Sequence, residues 1–124
     1  DLEYLPSWLT IVRGYLDIEE SSIKKIPDSL EISGSIFAIN SDLIEFTRSE
    51  VFGNLRLTNT KITNLPDTLY VKRDLCVQNM KLSKIPSHME IRGYFHIYNS
   101  TFADYSDYEL HTMYNIDGII DRDM

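Results

Sequence analysis

Aliphatic residues recur along this chain with a period of about 20 residues and are interleaved with polar positions. Each repeat is marked by an aliphatic residue and a proline, at Leu5-Pro6, Ile26-Pro27, Leu65-Pro66 and Ile85-Pro86. A degenerate copy carries Phe46-Thr47 at the same place. Glycines follow the same period at Gly14, Gly34, Gly53 and Gly93, with Arg73 in the remaining copy. Two columns that share one period predict five coils within residues 1–101.

Further aliphatic columns lie at fixed distances from these landmarks. Two residues before the glycine position come Val12, Ile32, Val51, Val71 and Ile91. Two and four residues after it come Leu16, Ile36, Leu55, Leu75 and Phe95, and then Ile18, Ala38, Leu57, Val77 and Ile97. Four residues before the proline come Leu2, Ile23, Leu43, Ile62 and Leu82. Their alternation with polar residues predicts a strand on each side of the glycine, with one buried face, and stacked coils that share one core.

One polar column is also regular. Six residues after the glycine position stand Asn40, Asn59, Asn79 and Asn99, with Glu20 in the first coil. Stacked at a turn, asparagine amides can hydrogen-bond to one another and to the neighbouring backbone. The column therefore predicts a structural ladder rather than a binding site.

The aliphatic-proline pairs, the alternating aliphatics and the asparagines resemble the short repeats of bacterial leucine-rich-repeat proteins. The repeats are also similar to those of short proteins from bacteria and their viruses. The resemblance covers residues 1–101 and implies a mainly β fold, a parallel β-solenoid. The spacing departs from the family, because one residue separates Val77 from Asn79. The coil is therefore either a strict leucine-rich repeat or a β-helix-like variant with two strands in each turn.

The pattern changes at the C-terminus. Residues 102–124 hold six acidic side chains and one basic one, and the aliphatic columns end after Tyr105. The segment from Asp104 to Tyr114 predicts a short helix, with Asp104 or Ser106 as its N-cap. We expect residues 102–124 to form an acidic cap on the same domain, with the last few residues frayed.

Composition narrows the class of protein. A chain of 124 residues with 43% hydrophobic side chains fits one globular domain. It carries neither a long apolar run nor a signal-peptide pattern at its start, and Cys76 is its only cysteine, so we expect a cytoplasmic protein and no membrane contact. The net charge of −7 argues against direct nucleic-acid binding and favours a basic partner.

Chemistry-bearing motifs are sparse, and we expect no enzyme, cofactor or metal. The single candidate constellation is the pair Cys76 and His96, which the repeat places side by side on an outward row. A thiol beside an imidazole can be a nucleophile or half of a metal site. No third, orienting residue is evident from the pattern.

The stronger signal is a set of aromatic and other large side chains on the outward side of the second strand. These candidate partner-binding residues are Tyr15, Phe37, Ile39, Arg56, Tyr94, His96 and Tyr98. Such residue types are enriched at binding hot spots, but they also favour strands, and coverage of this side by the C-terminal cap is a third interpretation. A second candidate is the acidic patch of Asp104, Asp107 and Glu109, which lies among tyrosines and can imitate a nucleic-acid strand.

The sequence favours a non-enzymatic module that binds another protein. In the narrower hypothesis it is a phage-encoded, anti-CRISPR-like inhibitor that covers a site on a larger host protein, such as a defence nuclease or another nucleic-acid-binding complex. Two alternatives stay open. One is a self-assembly module that forms a homodimer through the solenoid ends or face, and the other is an acidic nucleic-acid mimic.

Overall fold

The chain folds into a parallel β-solenoid, which confirms the mainly β fold class. The computed structural model describes residues 3–124, so Leu2, the first member of one aliphatic column, lies outside the described residues. Each coil has two short strands, one before and one after the glycine position. The coil therefore has the two-strand form, although no leucine-rich-repeat relationship follows from that geometry.

The second strands of successive coils form one parallel sheet of six strands. They are β2 (Leu16–Asp17), β4 (Ile36–Phe37), β6 (Leu55–Arg56), β8 (Leu75–Cys76), β10 (Phe95–His96) and β12 (Ile120–Asp121). The register pairs Leu16 with Ile36, Ile36 with Leu55, and so on to Leu75 with Phe95. The aliphatic column two residues after the glycine is therefore confirmed as a stack.

The first strands form two parallel sheets instead of one. They are β1 (Ile11–Val12), β3 (Glu31–Ile32), β5 (Glu50–Val51), β7 (Thr68–Val71), β9 (His88–Ile91) and β11 (Asn115–Ile116). The break falls between β3 and β5, after the degenerate Phe46-Thr47 corner. There Arg48 donates from its guanidinium to the carbonyl oxygens of Pro27, at 3.0 Å, and Leu30. These bonds satisfy carbonyl groups at the corner beside the break.

The columns meet in one hydrophobic core. Leu55, Leu57, Leu75 and Val77 are fully buried, and Phe95 and Ile97 continue the same stack. Stacking is required because no single coil can bury its own apolar side. Val12, in the first coil, is only partly buried because it has a neighbouring coil on one side only.

The asparagine column forms the predicted ladder. Asn40, Asn59, Asn79 and Asn99 all have positive φ, between 51° and 61°. Their side chains link successive coils, with Asn59 donating to Asn40 at 2.7 Å, Asn79 to Asn59 at 2.7 Å and Asn99 to Asn79 at 2.9 Å. Asparagine suits this turn because it tolerates left-handed backbone and carries both a donor and an acceptor.

The glycine column allows close stacking of the backbone at the turn. A Cβ atom on Gly34 would clash with the carbonyl oxygen of Gly14, and one on Gly118 would clash with that of Gly93. Only Gly14 among the glycines has a positive φ, at 94°. The column is therefore explained at Gly34 and Gly118 by contact between coils rather than by an unusual backbone conformation.

The C-terminal segment contains the predicted short helix. Thr101–Asp104 form one turn of 3₁₀ helix, and α1 covers Asp107–Met113. Of the two N-cap candidates, Ser106 fills the position, and its hydroxyl accepts a bond from the Glu109 N–H at 3.1 Å. The Glu109 carboxylate accepts in return from the Ser106 N–H at 2.8 Å, which completes a capping box.

The residues after α1 form a sixth coil, which the sequence did not predict. β11 pairs with β9, and β12 pairs with β10. The Gly118 N–H donates to the Gly93 carbonyl at 3.1 Å, which continues the glycine turn. The repeat is hidden in the sequence because the helix lengthens this coil between two glycines that otherwise share the pattern.

Candidate partner-binding face

The outward side of the six-stranded sheet, which we call the outer face, presents three rows of side chains. The first row lies one residue after the glycine position and holds Tyr15, Ser35, Asn54, Asp74, Tyr94 and Ile119. The second holds Asp17, Phe37, Arg56, Cys76, His96 and Asp121. The third holds Glu19, Ile39, Thr58, Gln78, Tyr98 and Asp123. All seven predicted partner-binding residues therefore belong to this one surface.

At the N-terminal end of the outer face, aromatic and basic side chains are in contact. The rings of Tyr15 and Phe37 lie 5.4 Å apart between centroids. The Arg56 guanidinium carbon lies 4.8 Å from the centroid of Phe37, within the range of a cation–π interaction. Tyr15 is 61% exposed, whereas Phe37 and Ile39 are half-buried. This cluster offers an apolar surface whose side chains are already held by neighbours.

The C-terminal end carries a second cluster, built on β10. Tyr94, His96 and Tyr98 alternate with buried residues, so the three lie on one side of the sheet. The rings of Tyr94 and His96 lie 6.1 Å apart. Ile119, which the sequence pattern missed, is 59% exposed in the first row. The alternation of Ile116, Gly118 and Ile120 was the available signal.

Between the clusters, the first row forms a side-chain ladder along the coils. Ser35 Oγ accepts the Asn54 N–H at 2.8 Å, Asn54 Oδ1 accepts the Asp74 N–H at 3.0 Å, and Asp74 Oδ1 accepts the Tyr94 N–H at 2.8 Å. Each polar side chain thus satisfies a backbone donor in the next coil. These central residues hold the two clusters at a fixed separation.

His96 is oriented by carboxylates from both neighbouring coils. Its Nδ1 lies 2.8 Å from Asp121 Oδ2, and its Nε2 lies 4.0 Å from Asp74 Oδ2. The backbone N–H of Asp123 and the bond to His96 lower the pKa of Asp121. Asp121 is the orienting residue that the pattern of the five coils did not reveal, because it belongs to the sixth coil.

Cys76 lies in the same row but is buried, unlike an ordinary outward residue. Burial raises the pKa of the Cys76 thiol to about 11, and the opposing field of Arg56 is a smaller influence. A thiol with such a pKa remains protonated near neutral pH and is a poor nucleophile. The described residues 3–124 hold no group of three or more histidine, cysteine or acidic side chains that could bind a metal ion.

The acidic patch of the tail is divided among local roles. Asp107 Oδ1 accepts a hydrogen bond from Arg122 Nε at 3.0 Å and lies 2.8 Å from Arg122 Nη2 in an ion pair. Glu109 belongs to the capping box, and Asp104 ends the 3₁₀ turn with its side chain exposed. Arg122 also donates to the carbonyl oxygens of Tyr105, at 2.6 Å, and Ala103, at 3.3 Å. These bonds hold the end of the chain against the 3₁₀ turn and α1.

The tail extends the outer face rather than covering it. Its last strand, β12, lies beside β10 and adds Asp121 to the rows, and Ile119, just before β12, joins the first row. The helix α1 contacts β11, on the other sheet. A groove of about 220 Å³ lies there, lined by Tyr70, Glu90, Met113 and further residues of β7, β9 and α1.

Comparisons with protein families, with curated proteins and with solved structures found no match to this chain. Among residues 3–124, no helix has the length and apolar character needed to cross a membrane.

Proposed function

We propose that this protein is a binding module that contacts another protein through its outer face. The observation that carries the proposal is the pair of aromatic clusters on one sheet, with Tyr15 at 61% exposure and Tyr94 at 46%. Tyrosine and arginine are enriched among residues that contribute most to protein binding. Clustered aromatic side chains left open to solvent commonly mark such interfaces.

The rigidity of the face supports the same proposal. The backbone N–H groups of Leu16, Leu55 and Phe95, in β2, β6 and β10, each donate a hydrogen bond of 2.9 Å to a carbonyl of the next coil. The side-chain ladder of Ser35, Asn54 and Asp74 adds links at the edge of the face. Because its residues are ordered before a partner arrives, binding loses less conformational entropy than binding by a flexible segment.

In the narrower form of the proposal, the protein is a phage-encoded inhibitor in the host cytoplasm. It resembles short leucine-rich-repeat-like proteins, and it acts by covering a site on a larger host protein, such as a defence nuclease. Its small size and preformed face support this form, because occlusion requires contact area rather than a reaction.

Affinity capture from a host lysate with two matched variants tests the proposal. In the first variant, Tyr15→Ala with Tyr94→Ala removes one exposed aromatic ring from each cluster of the outer face. In the control, Tyr108→Ala removes a tyrosine that is 81% exposed on α1. We expect wild type and the control to retain the same protein and the face variant to lose it. Equal recovery by all three proteins would refute the role of the outer face.

Self-assembly is a second candidate, because the first described coil is apolar at its surface. Trp8 is 78% exposed, Tyr4 57% and Ile11 42%, and among residues 3–124 β1 and β2 each pair with only one strand. Open strand edges beside apolar side chains are suited to pairing with another copy. Light scattering over a range of protein concentrations tests this candidate. A monomer at every concentration, with no change in Trp8→Ala, would rule it out.

A further inference from the structure

We infer that the outer face takes a basic protein surface, with a lysine or arginine side chain of the partner seated on β10. This inference rests on the proposed function and names the chemistry of the partner. The seat, which we call the β10 patch, consists of Tyr94, His96 and Tyr98 with Asp74, Asp121 and Asp123 beside them.

The outer face carries a net negative charge. Its three rows hold five carboxylates and one guanidinium, which gives a formal charge of −4 with His96 neutral. The carboxylates are Asp17, Glu19, Asp74, Asp121 and Asp123. The single cation, Arg56, packs over the ring of Phe37 at the opposite end from the β10 patch. A surface with this balance attracts a basic partner and repels phosphate backbones.

Most basic side chains lie outside the three rows, although Lys72, Arg73 and Arg92 line a shallow depression with Asn54 and Asp74 at the edge of the outer face. Ten lysine and arginine side chains lie at the corners or glycine turns: Arg13, Lys24, Lys25, Arg48, Lys61, Lys72, Arg73, Lys81, Lys84 and Arg92. Some of these have acidic neighbours, such as Glu3, 3.9 Å from Lys24, and Glu90, 2.8 Å from Arg92. The negative charge of the outer face is therefore not cancelled by lysines within its own rows.

Two carboxylates of the β10 patch are fixed in position beside His96. Asp74 and Asp121 come from the coils on either side of β10, so their carboxylates flank His96. Each is held by a backbone donor: the Tyr94 N–H to Asp74 at 2.8 Å and the Asp123 N–H to Asp121 at 3.0 Å. The side chain of Asp74 remains 41% exposed and that of Asp121 30%.

Aromatic rings and fixed carboxylates together favour a cation. An ammonium or guanidinium group is attracted to the face of a tyrosine ring, and it binds more strongly when a carboxylate accepts its hydrogen bonds. Tyr94 and Tyr98 supply rings on either side of His96, and Asp74 supplies an oxygen that faces the same row. A purely apolar partner would instead desolvate the exposed carboxylates of Asp74 and Asp123 without supplying a cation to pair with them, which disfavours its binding.

The inference is tested by titrating isotope-labelled protein with an octa-arginine peptide and following backbone amide signals by NMR. An octa-glutamate peptide is the probe of opposite charge. We expect the arginine peptide to shift signals of Tyr94, His96 and Tyr98, and its affinity to fall at least about tenfold between about 20 and about 200 mM salt. The glutamate peptide should shift none of them.

Matched charge variants separate the β10 patch from general attraction to an acidic protein. The patch variant is Asp74→Asn with Asp123→Asn, because asparagine preserves the acceptor for the Tyr94 N–H. The control is Asp104→Asn with Glu109→Gln, which removes the same charge from the tail. We expect the patch variant to bind the arginine peptide about tenfold more weakly and the control to bind as wild type does. Tyr94→Leu with Tyr98→Leu, which keeps apolar bulk, should also weaken binding.

Three results would overturn the inference: equal losses in the patch and control variants, signal shifts confined to α1 or its groove, or equal binding of the glutamate peptide. None of them bears on the lysate experiment. If a protein is captured through the outer face but the arginine peptide does not bind the β10 patch, the proposed function stands and a basic partner is excluded. If the face variant and the control recover the partner as well as wild type does, the proposed function itself is rejected.

Discussion

At the scale of single residues, each position in a coil is fixed by what lies directly above and below it. Leu75 pairs with Leu55 on one side and Phe95 on the other, and all three are fully buried. Such columns were predictable from spacing alone because the same environment recurs in every coil. The burial of Cys76 was not predictable, since its row is outward; strand pairing places the larger residues Arg56 and His96 on either side of it.

Leu75→Ala should lower the free energy of unfolding by about 2–5 kcal/mol, because it opens a cavity in the middle of the stack. Thermal or denaturant unfolding of the variant measures this loss. Lys81→Ala, at an exposed position, should change stability by less than about 0.5 kcal/mol. Indistinguishable melts for wild type and Leu75→Ala would mean that the column assignment is wrong.

Asp121 should make the last coil sensitive to acid. Its pKa is lowered in the folded protein by the Asp123 N–H and by His96. A group with a lowered folded pKa stabilises the protein above its unfolded pKa, about 3.9, and that contribution disappears as pH falls through the folded value. Melting temperatures of wild type and Asp121→Asn should therefore differ most near neutral pH and converge at low pH. A gap of constant size at all pH values would exclude this linkage.

At the scale of elements, the short helix and the strand pair after it depend on each other. The sequence predicted a short helix between Asp104 and Tyr114 from its two N-cap candidates, Asp104 and Ser106, and from the acidic residues of its first turn. It did not predict β11 and β12, since the helix interrupts the period and leaves Gly118 out of register with the other glycines. Tyr114, which ends the helix, donates to the Pro86 carbonyl at 2.7 Å and ties this insertion to the fifth coil.

Removal of the capping box should loosen this element specifically. Ser106→Ala leaves the Glu109 N–H without its side-chain acceptor and should cost about 1 kcal/mol. Hydrogen exchange of amides in α1 and β12 should accelerate, while exchange in β6 and β8 stays slow. If exchange accelerated equally in every strand, the C-terminal coil would not be a separate unit of local stability.

At the scale of the whole molecule, the repeat determines both the core and the surface. One period places apolar side chains inward and lays the aromatic and acidic residues out in straight rows on the outer face. The fold was therefore largely predictable from the sequence, as were the seven residues whose rows meet on that face. Asp121 and Ile119 were not predictable in the same way, because their place depends on a coil whose repeat is interrupted.

The central claim is that binding occurs on the outer face, and the affinity of two triple variants for a captured partner tests it most directly. Phe37→Ala, Arg56→Ala and Tyr98→Ala should together lose about 1–3 kcal/mol or more of binding free energy, provided that thermal melts show each protein folded. Asp104→Asn, Asp107→Asn and Glu109→Gln should leave the affinity unchanged. Full affinity in the first variant, with loss in the second, would contradict the account and place binding on the acidic tail.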